Sequence, residues 1–458
     1  MRGFIYLLFN RKMNLYLALT MVIILAVFPG YAQNLGKEEL KSSRVSLSAD
    51  VIRKVYPNGL TLLIKPNCDN GVVSITLLVR MGTLYESPSQ KGISSLMQRC
   101  LLYGGTATRD PLTIYDELES VGAYWNSASA SDYGNIWLIV AKSGLDKALE
   151  VFFDIIRNPR FNTEDLEIGK NEKIQNIKTL KDQPLNTVSL VFNESFYGKH
   201  PYSWLTEGSI ETVGSLQQED LFKWYKKIYI PNNMVFTVVG NVNSEQIVKK
   251  FNNAFGMMIK RQLPKKTSQS IPKLKKDRTT IEYQNTQGVY LVLGYPAPGV
   301  LDDNTPAMII LNNLLSNRLY KELRDKRGLA YLAASSYQPL VGSTAIGAVL
   351  ITAPENYRVA REGIITEYKK FCDEQISLEE LQAAKKYLIG TYIMSLETGI
   401  AQGGLLGLSE LNGHDYQYLD RYPELIEKVT AEDIQRVAKK YFKHYVLAVV
   451  APEGTVEE

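Results

Sequence analysis

Few residues of this sequence are suited to bind a metal ion or to attack a substrate. The candidates are three histidines and three cysteines, namely His200, His414, His444, Cys68, Cys100 and Cys372. No two histidines stand at the spacing of metal ligands, and neither a C-x-x-C pair nor a G-x-S-x-G turn is present. We therefore predict packed thiols, a turn or packing role for His200, and no independent catalytic constellation.

Residues 1–32 have the order of a secretory signal peptide. Positive charges come first, an apolar run follows from Leu15 to Phe28, and the small residues Gly30 and Ala32 precede Gln33. The apolar run is shorter than the ~20 residues of a membrane-spanning helix. We expect an exported protein with no permanent membrane span, periplasmic if its source has an outer membrane. An uncleaved anchor is the alternative interpretation.

The rest of the chain is globular in composition and nearly neutral. Of the 458 residues, 45% are hydrophobic and 22% are charged, which suffices for two or more domains. The formal net charge of +4 includes three positive residues within the first 32, so the exported part carries +1. This charge gives no electrostatic basis for nucleic-acid binding. Residues 260–278 hold the main basic cluster, and their prolines and serines indicate a solvated linker.

Two stretches 213 residues apart share one pattern. The matching pairs include Glu219 and Glu432, Asp220 and Asp433, and Lys226 and Lys439. A helix cap is predicted at the start of each stretch, as Ser215-x-x-Gln218 and as Thr430-x-x-Asp433. An apolar strand is predicted after each helix. This recurrence indicates an internal duplication.

The pattern of strands and helices is mixed in both halves. Strands are predicted at 60–64, 73–79, 135–140, 234–239, 289–293 and 446–450, and helices at 92–103, 112–121, 144–156 and 307–323. We predict an α+β fold of two homologous domains, residues 33–259 and 279–458. Each is expected to be a mainly antiparallel sheet packed with helices, with one sheet face covered and the other potentially free.

Several short motifs follow one another in a family-specific order. They are Asn58-Gly59-Leu60, Val79-Arg80-Met81-Gly82, Gly92-Ile93, Gly104-Gly105-Thr106, Gly198-Lys199-His200-Pro201-Tyr202 and Tyr229-Ile230-Pro231-Asn232-Asn233-Met234. In this order the chain resembles the inverted zincins, the pitrilysin and mitochondrial processing peptidase family, from about residue 50 to residue 453. Active members hold zinc with H-x-x-E-H, whose glutamate activates water, and with a glutamate further downstream.

Other residues occupy all the zinc-site positions that this resemblance implies. Ser95, Gln98 and Arg99 stand at the H-x-x-E-H positions, and Asn176 stands at the downstream ligand position. A hydroxyl, two amides and a guanidinium supply neither suitable zinc ligands nor a general base. Arg99 also places a positive charge where the metal would lie. We expect a member that binds no metal and is not an enzyme by itself.

The second half resembles the family's substrate-binding stretch over residues 316–331. The resemblance implies that Arg324 and Tyr331 grip the substrate backbone beside zinc. A guanidinium and a phenol can both donate hydrogen bonds to a peptide carbonyl and to the oxyanion formed from it. On the bare sequence, a helix-capping role for Arg324 and a strand-packing role for Tyr331 are the alternatives.

A second candidate surface is a run of small polar residues. It contains Asn126, Ser127, Ala128 and Ser129, and the comparable segment of the family is an edge strand that pairs with substrate. An ordinary surface hairpin fits the same residues.

These observations support one main functional hypothesis and two alternatives. The main hypothesis is a non-catalytic subunit that binds peptide substrates beside a related, zinc-bearing H-x-x-E-H partner in a heterodimer. The alternatives are a proteolytically inactive scaffold and a stand-alone peptide-binding protein. Zinc is expected in the partner subunit and not in this chain.

Overall fold

The protein contains two mixed β-sheets with helices packed against both. The structure is a computed structural model that describes residues 46–68, 70–267 and 269–456; the predicted signal peptide lies outside the described residues. The first sheet contains β1 (Ile52–Val55), β2 (Thr61–Pro66), β3 (Val72–Arg80), β4 (Tyr124–Ser129), β5 (Tyr133–Ala141) and β6 (Met234–Gly240). The second contains β7 (Arg278–Tyr283), β8 (Val289–Ala297), β9 (Leu332–Tyr337), β10 (Thr344–Thr352) and β11 (Val446–Ala451).

The two sheets have the same topology. Their strand orders are β1-β2-β6-β3-β5-β4 and β7-β11-β8-β10-β9, so the second sheet lacks only a counterpart of β1. In each sheet one pair is parallel, β2 with β6 and β7 with β11, and the other neighbours are antiparallel. The prediction of two homologous, mainly antiparallel halves is confirmed.

All α-helices of the described chain lie between the first strand, β1, and the last strand, β11. In the first half they are α1 (Ile93–Tyr103), α2 (Pro111–Ser120), α3 (Leu145–Arg157), α4 (Thr163–Lys181), α5 (Pro184–Tyr197), α6 (Ile210–Ser215), α7 (Gln218–Ile228) and α8 (Ser244–Phe255). In the second half they are α9 (Thr305–Leu319), α10 (Tyr357–Asp373), α11 (Leu378–Ser395), α12 (Gly399–Asn412), α13 (Tyr418–Lys428) and α14 (Ala431–Tyr441). A π-helical turn, Tyr320–Lys326, continues α9. No described helix has the length and apolarity needed to cross a membrane.

The predicted helix caps agree with the structure in the second half only. Thr430 Oγ1 accepts a hydrogen bond from Asp433 N, and the Asp433 carboxylate accepts one from Thr430 N. In the first half, Asp220 Oδ2 accepts from Gln217 N at 2.9 Å. The predicted cap at Ser215 is therefore wrong, because Ser215 is the last residue of the short helix α6. Gln217 and Thr430 are also 213 residues apart, so the duplication is unaffected.

Each half contributes one helix to the outer face of the other half's sheet. Helix α12 packs on β3 and β6, and α5 packs on β11 and β8. Every residue of β6 and β11 is buried for this reason, whereas exposure alternates along β5. The expectation of a free sheet face is therefore wrong for the central strands of both sheets.

Helix α12 approaches the first sheet closely because glycines line its contact face. An added Cβ at Gly403 would lie 2.7 Å from Thr237 Oγ1, and one at Gly407 would lie 2.4 Å from a methyl group of Leu78. Both distances are too short for a side chain. The absence of side chains at these positions thus sets the spacing between helix and sheet.

The histidine and cysteine predictions fare differently. His200 lies in a tight turn, where its Nδ1 accepts a hydrogen bond from Tyr202 N at 3.2 Å, so the turn role is confirmed. Cys100 is buried in the core and Cys372 is half-buried. Cys68 is exposed between β2 and β3, so the prediction of a packed thiol is wrong there.

Candidate functional site

Helix α1, which carries three of the four substituted zinc-site positions, is fixed at its N-terminus by Glu86. The buried Glu86 carboxylate accepts hydrogen bonds from Gly92 N at 2.9 Å and Ser94 N at 3.0 Å. Burial raises the pKa of Glu86, and these two bonds partly oppose the shift. Gly92 has a φ of 86°, and an added Cβ would lie 2.4 Å from Glu207 O. Glycine at 92 therefore lets the loop carrying Glu207 reach α1.

Arg99 forms an ion pair with Glu172 of helix α4. Its Nε and Nη2 donate to the two carboxylate oxygens at 2.8 Å and 3.0 Å. Burial lowers the pKa of Arg99, but hydrogen bonding and the charge of Glu172 outweigh it and give a raised pKa. The guanidinium thus stays charged and joins α1 to α4 by a bidentate contact.

Ser95 belongs to a second polar cluster. Lys173 of α4 donates from Nζ to Ser95 Oγ and to Glu207 Oε2, both at 2.6 Å, and Ser95 Oγ donates to the same Glu207 oxygen at 3.0 Å. Lys173 Nζ is the donor in both of its contacts, so in this arrangement it does not accept a proton from Ser95. The cluster is a structural cross-link and not a nucleophile–base pair.

Gln98 connects α1 to the edge of the first sheet. Its side chain is buried, and Nε2 donates to Ala128 O at 3.1 Å and also to Asn135 O. Asn135 Oδ1 in turn accepts from Ala128 N at 3.0 Å. An amide N–H₂ aimed at two carbonyl oxygens is a donor, so Gln98 does not replace the family's general base. It holds β4 in place beside β5.

Asn176 does not join the other three positions. It lies on an exposed face of α4, and no hydrogen bond joins its side chain to Ser95, Gln98 or Arg99 among the described residues. Nor do the described residues contain a group of three His, Cys, Asp or Glu side chains arranged to hold a metal ion. With the Arg99 and Lys173 charges fixed at this place, the residues present do not fit a zinc ion.

Arg324 and Tyr331 lie on the surface near the outer edge of the second sheet. Tyr331 is 75% exposed and directly precedes edge strand β9, to which the π-helical turn carrying Arg324 is adjacent. The Arg324 guanidinium stacks over the Tyr320 ring at 5.0 Å. Neither side chain has a hydrogen-bond or ion-pair partner among the described residues. Tyr331 is thus not packed within a strand, and the substrate-binding role of both residues stays a prediction.

The small-residue segment lies in the first sheet's outer strand. Asn126 to Ser129 belong to β4, which pairs with β5 alone at the sheet edge. This is the edge-strand position that the sequence suggested. Strands β4 and β9 are equivalent in the two halves, so both groups of predicted substrate-binding residues lie at or beside the corresponding sheet edges.

Comparisons with known proteins agree with this geometry. Residues 62–207 match the family model described as insulinase (peptidase family M16), and residues 215–388 match the model described as the peptidase M16 inactive domain. The chain belongs to the M16 peptidase family. The inverted zincins to which the sequence was compared are this M16 family, so that resemblance is confirmed.

Relatives within the M16 family match along most of their length. An uncharacterized zinc protease of Mycobacterium leprae is 26% identical over 91% of this chain and 94% of its own, and one of Bacillus subtilis is 24% identical over 88% and 99%. Two crystal structures share the M16 fold with a TM-score of 0.82 over 88% of this chain. They are a protease from Helicobacter pylori, 21% identical over 99% of its length, and a peptidase M16 inactive domain from Pseudomonas fluorescens, 20% identical over 98%.

Sequence reasoning missed the partners that fill the M16 zinc-site region. Glu172 and Lys173 were not singled out, although they lie only four and three residues before Asn176. Glu172 lies 73 residues after Arg99, one helical turn before the downstream ligand position occupied by Asn176. The sequence signal for this ion pair was the presence of an acidic residue, Glu172, close to the downstream ligand position when an arginine, Arg99, occupies another ligand position. Glu207 gave no comparable signal.

Proposed function

We propose that this chain is the non-catalytic, substrate-binding subunit of an exported heterodimeric zinc metalloendopeptidase. It grips an extended peptide next to the zinc site of a related H-x-x-E-H partner. A periplasmic location follows if the source has an outer membrane. The proposal assigns the zinc, the activated water and the general base to the partner.

The contrast between the two halves carries this proposal. In the first half, Ser95, Gln98 and Arg99 are all engaged in contacts within the chain. In the second half, Arg324 and Tyr331 are exposed and have no polar partner among the described residues. Two long donor side chains kept clear of intramolecular bonds are available to bind peptide carbonyl groups.

Strand β4 offers a complementary binding mode. An extended peptide that adds to an exposed sheet edge gains main-chain hydrogen bonds without requiring a particular sequence. The small side chains of Ser127, Ala128 and Ser129 leave room for such a peptide. The side chains of Gln98 and Asn135 hold the strand in place by hydrogen bonds to the carbonyl and the N–H of Ala128. A fixed edge reduces the entropy lost on binding.

Purification of the tagged mature chain from its native host tests the proposal. Co-purified proteins are identified by mass spectrometry, and the eluate is assayed for peptide cleavage with and without a chelator. We expect an H-x-x-E-H protein to co-elute and cleavage to be chelator-sensitive. Arg324→Ala and Tyr331→Ala should abolish most of the cleavage without loss of the partner. Alanine substitutions of two other exposed residues of the same types, Arg327→Ala and Tyr387→Ala, serve as matched controls.

Other outcomes assign a different function. Elution with partners that are not peptidases, and without chelator-sensitive cleavage, indicates a scaffold. Elution alone, with retained affinity for extended peptides, indicates a stand-alone peptide-binding protein. Cleavage that survives both the Arg324→Ala and the Tyr331→Ala substitutions refutes the gripping role of these residues even if the heterodimer exists.

A further inference from the structure

Strands β4 and β5 together present an aromatic pair, Tyr124 and Trp137, on the outer face of the first sheet. The rings of Tyr124 and Trp137 lie 5.3 Å apart, and Trp137 is directly opposite Asn126 in the β4–β5 register. Because side chains alternate along a strand, Tyr124, Asn126 and Ala128 share this face. Tyr124 is 37% exposed although it packs against Trp137. An aromatic ring thus stands beside two smaller residues at the open sheet edge.

The opposite face of the same strand contains a second aromatic pair. Trp125 packs against Tyr115 of α2 with a centroid distance of 5.7 Å. Its register partner is the buried Leu138, so this pair belongs to the helix-covered side of the sheet. The inner pair of Trp125 and Tyr115 already anchors β4 to α2 and so stabilises the edge strand. The outer pair therefore calls for a separate explanation.

The equivalent edge of the second sheet lacks such an aromatic pair. The outer-face residues of β9 are Leu332 and Ala334, opposite Ile351 and Val349 of β10. Because the two sheets have the same topology, the aromatic pair is not a requirement of this edge. It is a feature of the first half, where the small-residue edge strand lies.

We propose that Tyr124, backed by Trp137, selects peptides with an aromatic or large aliphatic side chain at one position along β4. This inference rests on the proposed peptide-binding function and names its substrate class. A peptide side chain opposite Asn126 lies diagonal to Tyr124, a separation of about 7–8 Å between Cα atoms that an aromatic side chain spans. The small Asn126 and Ala128 leave space for it, and Trp137 restricts the Tyr124 ring. Tyr124 contacts substrate, while Trp137 is a positioning residue.

Binding of labelled peptides to the purified full mature chain tests this selection. The probes are fluorescein-labelled, ten-residue Ser/Thr-rich peptides that carry Phe, Leu or Ala at one scanned position. Their Kd values are measured by fluorescence anisotropy. We expect the Phe and Leu peptides to bind about two- to tenfold more tightly than the Ala peptide at one scanned position.

Two tyrosine variants separate selection from stability. Tyr124→Ala should bring the Phe-to-Ala ratio of affinities close to one while the Ala peptide keeps its Kd. Tyr115→Ala, which removes the ring on the opposite face, should retain the ratio. Persistence of the ratio in Tyr124→Ala, or its equal loss in Tyr115→Ala, overturns the inference while peptide binding itself stands. If no peptide binds the wild-type chain, this inference fails together with the proposed peptide-binding function.

Discussion

The Asp132 carboxylate accepts a hydrogen bond from the backbone N–H of Val341 at 2.7 Å. Asp132 lies in the β4–β5 hairpin turn and Val341 in the β9–β10 turn, so equivalent turns of the two halves touch. Tyr202 strengthens the contact, since its hydroxyl donates to Asp132 at 2.7 Å and accepts from Gly342 N at 3.1 Å. Burial raises the pKa of Asp132, and these donors partly offset that effect.

Removal of the Asp132 carboxylate should weaken the contact between the two halves. Asp132→Ala leaves the Val341 N–H and the Tyr202 hydroxyl without their acceptor, which costs about 3 kcal/mol of unfolding free energy. Urea unfolding followed by circular dichroism measures the loss. Asp116→Ala, an exposed aspartate within α2, is the control and should change stability by less than about 0.5 kcal/mol. Equal stability of both variants would contradict a structural role for this contact.

Zinc should have no effect on the folded chain. Arg99 and Lys173 place two positive charges where the metal would bind, and their carboxylate partners are already engaged. We expect less than one zinc ion per ten chains by mass spectrometry, and a melting temperature that neither zinc nor EDTA shifts. Stoichiometric zinc, or a melting temperature raised by zinc, would overturn the description of this site.

Restoring the family's glutamate at position 98 should destabilise the protein. In Gln98→Glu a carboxylate oxygen replaces the amide N–H₂ that donates to Ala128 O and Asn135 O. The buried carboxylate and the two carbonyl oxygens are all hydrogen-bond acceptors, so both hydrogen bonds are lost. The expected loss is about 3 kcal/mol of unfolding free energy at neutral pH. Gln218→Glu makes the same chemical change at the exposed first residue of α7 and should be neutral or slightly stabilising. Chemical denaturation of both variants measures their unfolding free energies. Equal values for the two variants would contradict the donor role of Gln98.

Adjacent glycines of α12 should respond in opposite directions to alanine. At Gly403 the added Cβ would meet Thr237 Oγ1 at 2.7 Å, so Gly403→Ala is expected to cost about 1–3 kcal/mol. At Gly404 the added Cβ would have no atom within 4 Å apart from the backbone of its own helix and its chain neighbours, and Gly404→Ala should stabilise by up to about 1 kcal/mol through helix propensity. Thermal unfolding of both variants tests the helix–sheet contact. A stabilised Gly403→Ala would show that α12 can move away at no cost.

The cysteines should differ in reactivity toward thiol reagents. Only the thiolate reacts, and burial raises the pKa of Cys100 to about 11, so this thiol remains protonated at pH 8. The exposed Cys68 should be labelled rapidly and Cys100 only slowly, with its rate rising as the pH approaches 11. Peptide mapping after timed alkylation distinguishes them, and Cys68→Ser removes the fast phase. Fast labelling of Cys100 in the folded protein would contradict its burial.

The sequence was most informative where a pattern is local. Alternation along β5, the apolar runs of β6 and β11, and the spacing within α1 predicted these elements to within a few residues. The substituted positions Ser95, Gln98 and Arg99 could be located because the surrounding motifs are local as well.

Contacts that depend on how elements cross could not be predicted. The ion pair of Arg99 with Glu172 requires α1 and α4 to lie side by side, and the Ser95–Glu207 contact requires a loop brought in by Gly92. The spacing of residues along the sequence does not show which helices and loops pack against each other. The helix predicted through Leu323 becomes a π-helical turn after Leu319, a local change that helical spacing does not reveal.

Because α5 and α12 each pack on the sheet of the other half, the order of synthesis affects how this chain folds. While the protein is synthesised, the outer face of β3 and β6 has no covering helix until residues 399–412 emerge, and α5 waits for β11, the last strand. Each half therefore relies on a helix of the other half to cover its central strands, although the two sheets have the same topology. Late, long-range contacts of this kind slow folding. A substitution on the outer face of either sheet must therefore be compatible with a helix that is encoded in the other half of the gene.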